Sequence, residues 1–158
     1  MSRTRLLFLL ALGLGACADQ PTAPPENTSF VRLADTDHGG RGFTVTLSGA
    51  EEAPVPNNSP GTGTFVMTIN PGQGELCYEL SVSGLTTPVT NAHIHIGPPG
   101  VAGPPVVQLI PPVTGFSSEC VDVAAALLRD IRKNPEAYYV NVHTTMFPGG
   151  EVRAQFGG

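Results

Sequence analysis

From residue 43 the chain alternates. Phe43, Val45 and Leu47 are separated by Thr44, Thr46 and Ser48, the period-two pattern of a strand with one buried face. Positions 61–69 repeat it, with Phe65, Met67 and Ile69 opposite Thr64, Val66 and Thr68. Asn70-Pro71-Gly72-Gln73-Gly74 then reads as a turn, because proline presets one dihedral and glycine supplies positive φ. The strand pattern returns over 75–82, which predicts a hairpin over 61–82. Further strands are predicted over 91–96, 106–110 and 116–121. A last hairpin spans 138–144 and 151–156 around Met146-Phe147-Pro148-Gly149-Gly150. One segment breaks the alternation. Ala124, Leu127, Leu128 and Ile131 recur at helical spacing and form one apolar stripe. Asp122 is placed to cap that helix, Arg129, Arg132 and Lys133 suit its negative pole, and Pro135 stops it. The pattern therefore predicts an all-β protein, an antiparallel Greek-key β-sandwich with one short helix inserted.

Ahead of this lies a different text. Arg3 and Arg5 precede an apolar run from Leu6 to Leu14, too short for a membrane span, and then Leu14-Gly15-Ala16-Cys17. These four residues resemble a bacterial lipobox, in which the cysteine thiol is acylated and becomes the new N-terminus. Cys17 is thus the expected lipidation site, and two or more acyl chains there give stable anchoring. Residues 1–16 are expected to be a lipoprotein signal peptide. Residues 17–41, Pro-rich and polar, are expected to be an extended tether. Within it Phe30, Val31 and Leu33 offer a short strand, Asp35 to Gly42 reads as loop, and His38 reads as a solvated histidine. Residues 42–158 are the expected folded domain. The implied location is extracytoplasmic, lipid-anchored to the cell envelope. Ala18 lacks the aspartate associated with inner-membrane retention in some bacteria.

Composition narrows the function. There are 19 Gly and 16 Pro in 158 residues, which disfavours a mostly helical chain. The net charge of −5 gives no basic face for nucleic acid. No run of about 18 apolar residues occurs, so no spanning helix is predicted. Hydrolase signatures such as Gly-x-Ser-x-Gly and His-Glu-x-x-His are missing. The absence of Trp disfavours a sugar-stacking surface. With Cys17 carrying lipid, Cys77 and Cys120 remain, and outside the cytoplasm a disulfide between them is the default. Two buried free thiols are the alternative.

The histidines carry the chemistry. In Ala92-His93-Ile94-His95-Ile96, His93 and His95 share one face of a strand. In Val140-Asn141-Val142-His143-Thr144, Asn141 and His143 face opposite to the two valines. If the two strands are neighbours, three imidazoles meet on one surface. Such a set suits copper or zinc and not calcium or magnesium, which prefer oxygen. The alternative is that these rings hydrogen-bond neighbouring loops and hold the rim of the sandwich. Gly97, Gly100 and Gly103 recur with Pro98, Pro99, Pro104 and Pro105. Too few triplets exist for a collagen helix, so this is read as a rigid loop beside the histidines.

Several of these motifs, in order, resemble the CHRD domain, first named from chordin. They are Leu47-Ser48-Gly49-Ala50-Glu51-Glu52-Ala53-Pro54, then Ala92-His93-Ile94-His95 with the three spaced glycines. Tyr138-Tyr139-Val140-Asn141-Val142-His143-Thr144 follows, with Pro148-Gly149-Gly150-Glu151-Val152-Arg153 after it. The usual Gln-Glu-Val-Pro reads Glu51-Glu52-Ala53-Pro54 here. The resemblance implies a β-sandwich domain with no established enzymatic activity. Glu52 and Arg153 match charged positions of the pattern, and an ion pair at the sandwich edge is expected. The other reading makes Glu52 or Glu151 an oxygen ligand completing a three-histidine site. The His-x-His strand is similar to that of copper–zinc superoxide dismutases, but those need more histidines and an aspartate, so dismutation is not expected. The function expected is a non-catalytic, lipid-anchored envelope module with a His-lined surface, its partners the membrane and an unidentified protein or metal. The alternative is a copper- or zinc-binding envelope protein using His93, His95 and His143.

Overall fold

The computed structural model describes residues 40–86 and 88–157. The lipobox with Cys17, the short strand expected at Phe30 and the solvated His38 lie outside these residues. Eight strands form: β1 (Arg41–Ser48), β2 (Thr62–Asn70), β3 (Glu75–Ser83), β4 (Val89–Ile96), β5 (Pro105–Leu109), β6 (Phe116–Asp122), β7 (Tyr138–Thr144) and β8 (Val152–Gln155). One helix, α1 (Ala125–Lys133), separates β6 from β7. Every pairing is antiparallel. Among the described residues no helix is long and apolar enough to cross a membrane.

The strands belong to a single eight-stranded sheet in the order β5-β4-β7-β8-β1-β2-β3-β6. Two separate sheets were expected, and the difference is one seam. β1 and β8 are joined by a single register pair, Ser48 with Arg153. On either side of that seam lie four strands. The inward residues of both halves form one apolar cluster. Phe43, Leu47, Phe65, Met67 and Leu80 come from one half, and Ile94, Leu109, Val140, Val142 and Val152 from the other. The chain leaving edge strand β5 also reaches the other half, since the Ile110 amide donates to the hydroxyl of Tyr78 on β3 at 2.7 Å. β3 and β6 are neighbours although β4 and β5 intervene in sequence, which is the out-and-back connection of a Greek key.

Local details depart from the sequence reading in two places. Arg41 and Gly42 belong to β1, paired with Ile69 and Thr68, and not to a loop. Asp122 does not cap the helix. Its pairing with Glu75 keeps it in β6, and Ala124 holds the N-cap position without a side-chain bond. Three of the four stripe residues pack as expected, Leu128 and Ile131 fully buried and Leu127 beside them, whereas Ala124 is exposed at the N-cap.

Candidate functional site

β4 and β7 are neighbours, and their register decides what meets. Ala92, Ile94, Val140 and Val142 point into the core. The alternate positions therefore face outward: His93 and His95 on β4, Tyr139, Asn141 and His143 on β7. His93 pairs with Asn141, His95 with Tyr139, and Asn91 with His143. His143 is thus the diagonal neighbour of His93, within reach of a long side chain. The outer face is not open to solvent. His95 and His143 are only 7% and 8% exposed, and all of β7 is buried. The cover comes from the loop after β4 and the turn after β7. Gly103 makes the first approach possible, because a Cβ there would lie 1.7 Å from the Ile96 carbonyl.

The three rings converge. Their centroids are 5.1 Å apart for His93–His143, 5.3 Å for His93–His95 and 5.7 Å for His95–His143. One ring nitrogen from each lies within 4.8 Å of the others. His93 Nδ1 and His143 Nε2 are 3.2 Å apart. The outward-turned nitrogens of two rings are committed to the cover: His95 Nδ1 donates to the Gly103 carbonyl at 2.8 Å and His143 Nδ1 to the Pro148 carbonyl at 3.0 Å. That leaves Nε2 of both rings as acceptors, and His143 Nε2 accepts from His93 Nδ1. His95 Nε2 is buried and has no partner. Burial holds all three imidazoles below their ordinary pKa and pushes His143 down to about 4. At neutral pH the cluster is uncharged, the form that binds a metal.

Tyr139 supports the cluster from beneath. His95 stacks on its ring at 4.8 Å and 10°, and its hydroxyl accepts from the Gly103 amide at 3.0 Å. Arg153, from β8 on the other flank of β7, places its guanidinium 3.5 Å from the Tyr139 ring centre. The expected Glu52–Arg153 ion pair is not what forms. Arg153 donates instead to the Val101 and Pro98 carbonyls and to Gln155 Oε1. Each carbonyl ties the loop over the histidines to β8.

The two glutamates stand apart from the histidines. Glu52 is not in the three-ring group; its Oε2 accepts from Asn141 Nδ2 at 3.2 Å. Glu52 Oε1 and Asn141 Oδ1 are both buried without partners. Burial pushes Glu52 up to about 7, against the opposing pull of Asn141 and Arg153. Gly150 closes this corner, for a Cβ there would meet Asn141 and Glu52 Oε2 within 2.7 Å. Glu151 is spent on structure. Ser59 Oγ, the Thr86 amide, Thr86 Oγ1 and Thr144 Oγ1 all donate to it. Burial raises its pKa, but these donors outweigh that and hold it below the usual range.

Cys77 and Cys120 sit directly opposite on β3 and β6 and form a disulfide. Glu75 lies close to both sulfurs, but neither is available as a thiolate while the bond is intact. Asn141 was legible as the companion of His143 on one strand face. Gln108 was not. It lies opposite His93 on β5, and only strand register reveals that.

A family model described as CHRD domain matches residues 43–156. The chain belongs to the CHRD domain family. No curated protein and no solved structure matches it. In this CHRD domain the matched segment begins at Phe43 and ends at Phe156, and those two rings pack together at 5.9 Å. The domain closes on itself where its two ends meet. The histidine cluster, Glu52 and Arg153 all lie inside the matched segment.

Proposed function

We propose that this CHRD domain is a non-catalytic metal-binding module, held at the bacterial cell envelope by lipid on Cys17, in which His93, His95 and His143 share one copper or zinc ion. The observation that carries the reading is His95 Nε2. It is buried, its lone pair is bare, and it has no partner other than the two rings it faces. An unpaired buried acceptor is costly, and a cation among the three nitrogens removes that cost. Imidazoles around a tetrahedral ion with bonds of 2.0–2.1 Å have nitrogens about 3.3 Å apart, close to the 3.2 Å between His93 and His143. Backbone carbonyls behind His95 and His143 are the kind of support that orients metal-binding imidazoles.

Three neutral nitrogens without a carboxylate favour Cu(II) over Zn(II) by the usual order of stabilities. Glu52 is engaged with Asn141 and supplies no ligand in this reading. His93 is the least buried ring, so the ion would enter and exchange on that side. The absence of established enzymatic activity in the family and the lack of a nucleophile–base pair around the cluster support a binding role.

Purified protein titrated with Zn(II) and with Cu(II) is expected to bind one equivalent of either, with Cu(II) displacing Zn(II). The His93→Ala/His95→Ala variant is expected to lose that binding. Equal weak binding by both proteins would defeat the reading.

A further inference from the structure

β3 and β6 form the end of the sheet away from β4 and β7, so what lies there is separate from the histidines. Two register pairs meet in that corner: Cys77 with Cys120, and Glu75 with Asp122. Residues two apart on a strand share a face, so the two sulfurs and the two carboxylates stand on one face. It is the face away from the core, because the intervening Leu76 is buried in the core. The convergence is close. Cys77 Sγ, Cys120 Sγ and a carboxylate oxygen of Glu75 lie within 4.8 Å of one another. Sulfur and oxygen ligands of a tetrahedral ion, bonded at about 2.0–2.3 Å, stand about 3.3–3.8 Å apart. The sulfurs part to that distance once the bond between them opens, and the carboxylate closes in. A staple has no use for that carboxylate. Beside a reduced pair it disfavours thiolate, and a cation removes the penalty.

We propose that Cys77, Cys120 and Glu75 form a second metal site, closed while the disulfide stands and opened when a thiol or phosphine reductant cleaves it. Its ion is a thiolate-seeking d10 cation of the Zn(II) and Cd(II) kind. Cys120 is exposed on edge strand β6, so a reductant reaches the bond from solvent. Reduction breaks the S–S bond with two electrons from the reductant. Two thiols become a disulfide and pass their protons to the cysteine sulfurs. A phosphine instead takes the oxygen of a water, whose two protons go to the sulfurs. Metal binding then expels both protons as two sulfur–metal bonds form. Asp122, opposite Glu75, stands on the same face for a fourth position. The same two sulfurs serve as a staple or as ligands, never both, so the redox state decides whether this end of the sheet holds an ion.

The test uses purified Cys17→Ser protein, whose remaining cysteines are Cys77 and Cys120, with Cd(II) as the probe. The ultraviolet sulfur-to-cadmium charge-transfer band reports thiolate ligands, and cadmium held by histidine does not produce it. The oxidised protein is expected to show no band. After reduction with a phosphine and its removal, one equivalent of Cd(II) is expected to produce the band and to raise the melting temperature. Glu75→Gln is expected to keep the band but to bind Cd(II) about 10-fold or more weakly, since a direct ligand counts for at least as much as a supporting partner. No band in the reduced protein overturns the proposal. So does a band from a chain that circular dichroism shows unfolded with Cd(II) as without it, and so does equal affinity in Glu75→Gln. The sulfur band is blind to the histidines, so its failure leaves the three-histidine reading standing, and failure of that reading leaves this site standing.

Discussion

Two buried groups of the covered face titrate in opposite senses. His143 takes a proton near 6.5 when unfolded but resists until about 4 in the fold. Between these values the unfolded chain holds the extra proton, so this group makes stability rise with pH, fully so above 6.5. Glu52 runs the other way, from 4.5 unfolded to about 7 folded. Its contribution is fully present below 4.5 and is lost as pH climbs to 7. Across 4.5–6.5 these two largely cancel, and the lowered rings of His93 and His95 leave metal-free wild type gaining stability as pH rises there. Glu52→Gln removes one arm and offers an amide to the unpaired Asn141 Oδ1. Its unfolding free energy from urea titration is expected to climb through pH 4.5–6.5 and to exceed wild type at pH 8 by about 1–3 kcal/mol. A lower unfolding free energy than wild type at pH 8 would show that Glu52 is stabilised as a carboxylate. At this scale the three histidines were readable from strand alternation, because His93, His95 and His143 all fall on polar-face positions. The Glu52–Asn141 contact was not, since it joins residues 89 apart in sequence.

Most elements were legible because alternation and turn chemistry agree along the chain. The β2–β3 hairpin is the clearest case. Asn70 Oδ1 accepts from the Gly72 and Gln73 amides, so the turn is fixed by the residue that starts it. The helix cap at Asp122 was misread because a neighbouring strand claimed that residue. The sheet order was not readable, for β1 and β8 are distant in sequence and touch through one register pair. The Cys77–Cys120 bond staples edge strand β6 to β3, with a sequence separation of 43. A loop of that size is worth up to about 4 kcal/mol in the chain-entropy model. The Cys77→Ser/Cys120→Ser variant is expected to unfold at clearly lower urea than wild type while still binding one metal ion, because the histidines lie on the other half of the sheet. Loss of metal binding in a variant that remains folded would mean that the two halves are coupled.

On the scale of the whole molecule, we propose a compact CHRD domain carried on a polar tether from a lipid-bearing Cys17. Cys17→Ser is expected to move the protein from the membrane fraction to the soluble extracytoplasmic fraction, as read by fractionation. Continued membrane association would contradict the anchor. In the metal-binding reading proposed above, binding and folding are linked in the same molecule. An ion bound only to the native state at 100 times its dissociation constant adds about 2.7 kcal/mol to stability, so melting temperature should rise with Zn(II) in wild type and stay fixed in the His93→Ala/His95→Ala variant.

The most direct measurement is the stoichiometry and affinity of Cu(II) and Zn(II) in calorimetric titrations of wild type and of a His93→Ala/His95→Ala/His143→Ala variant. One equivalent bound by wild type and none by the variant is the predicted result. No binding by wild type, or the same binding by both, would contradict a shared ion among the three rings.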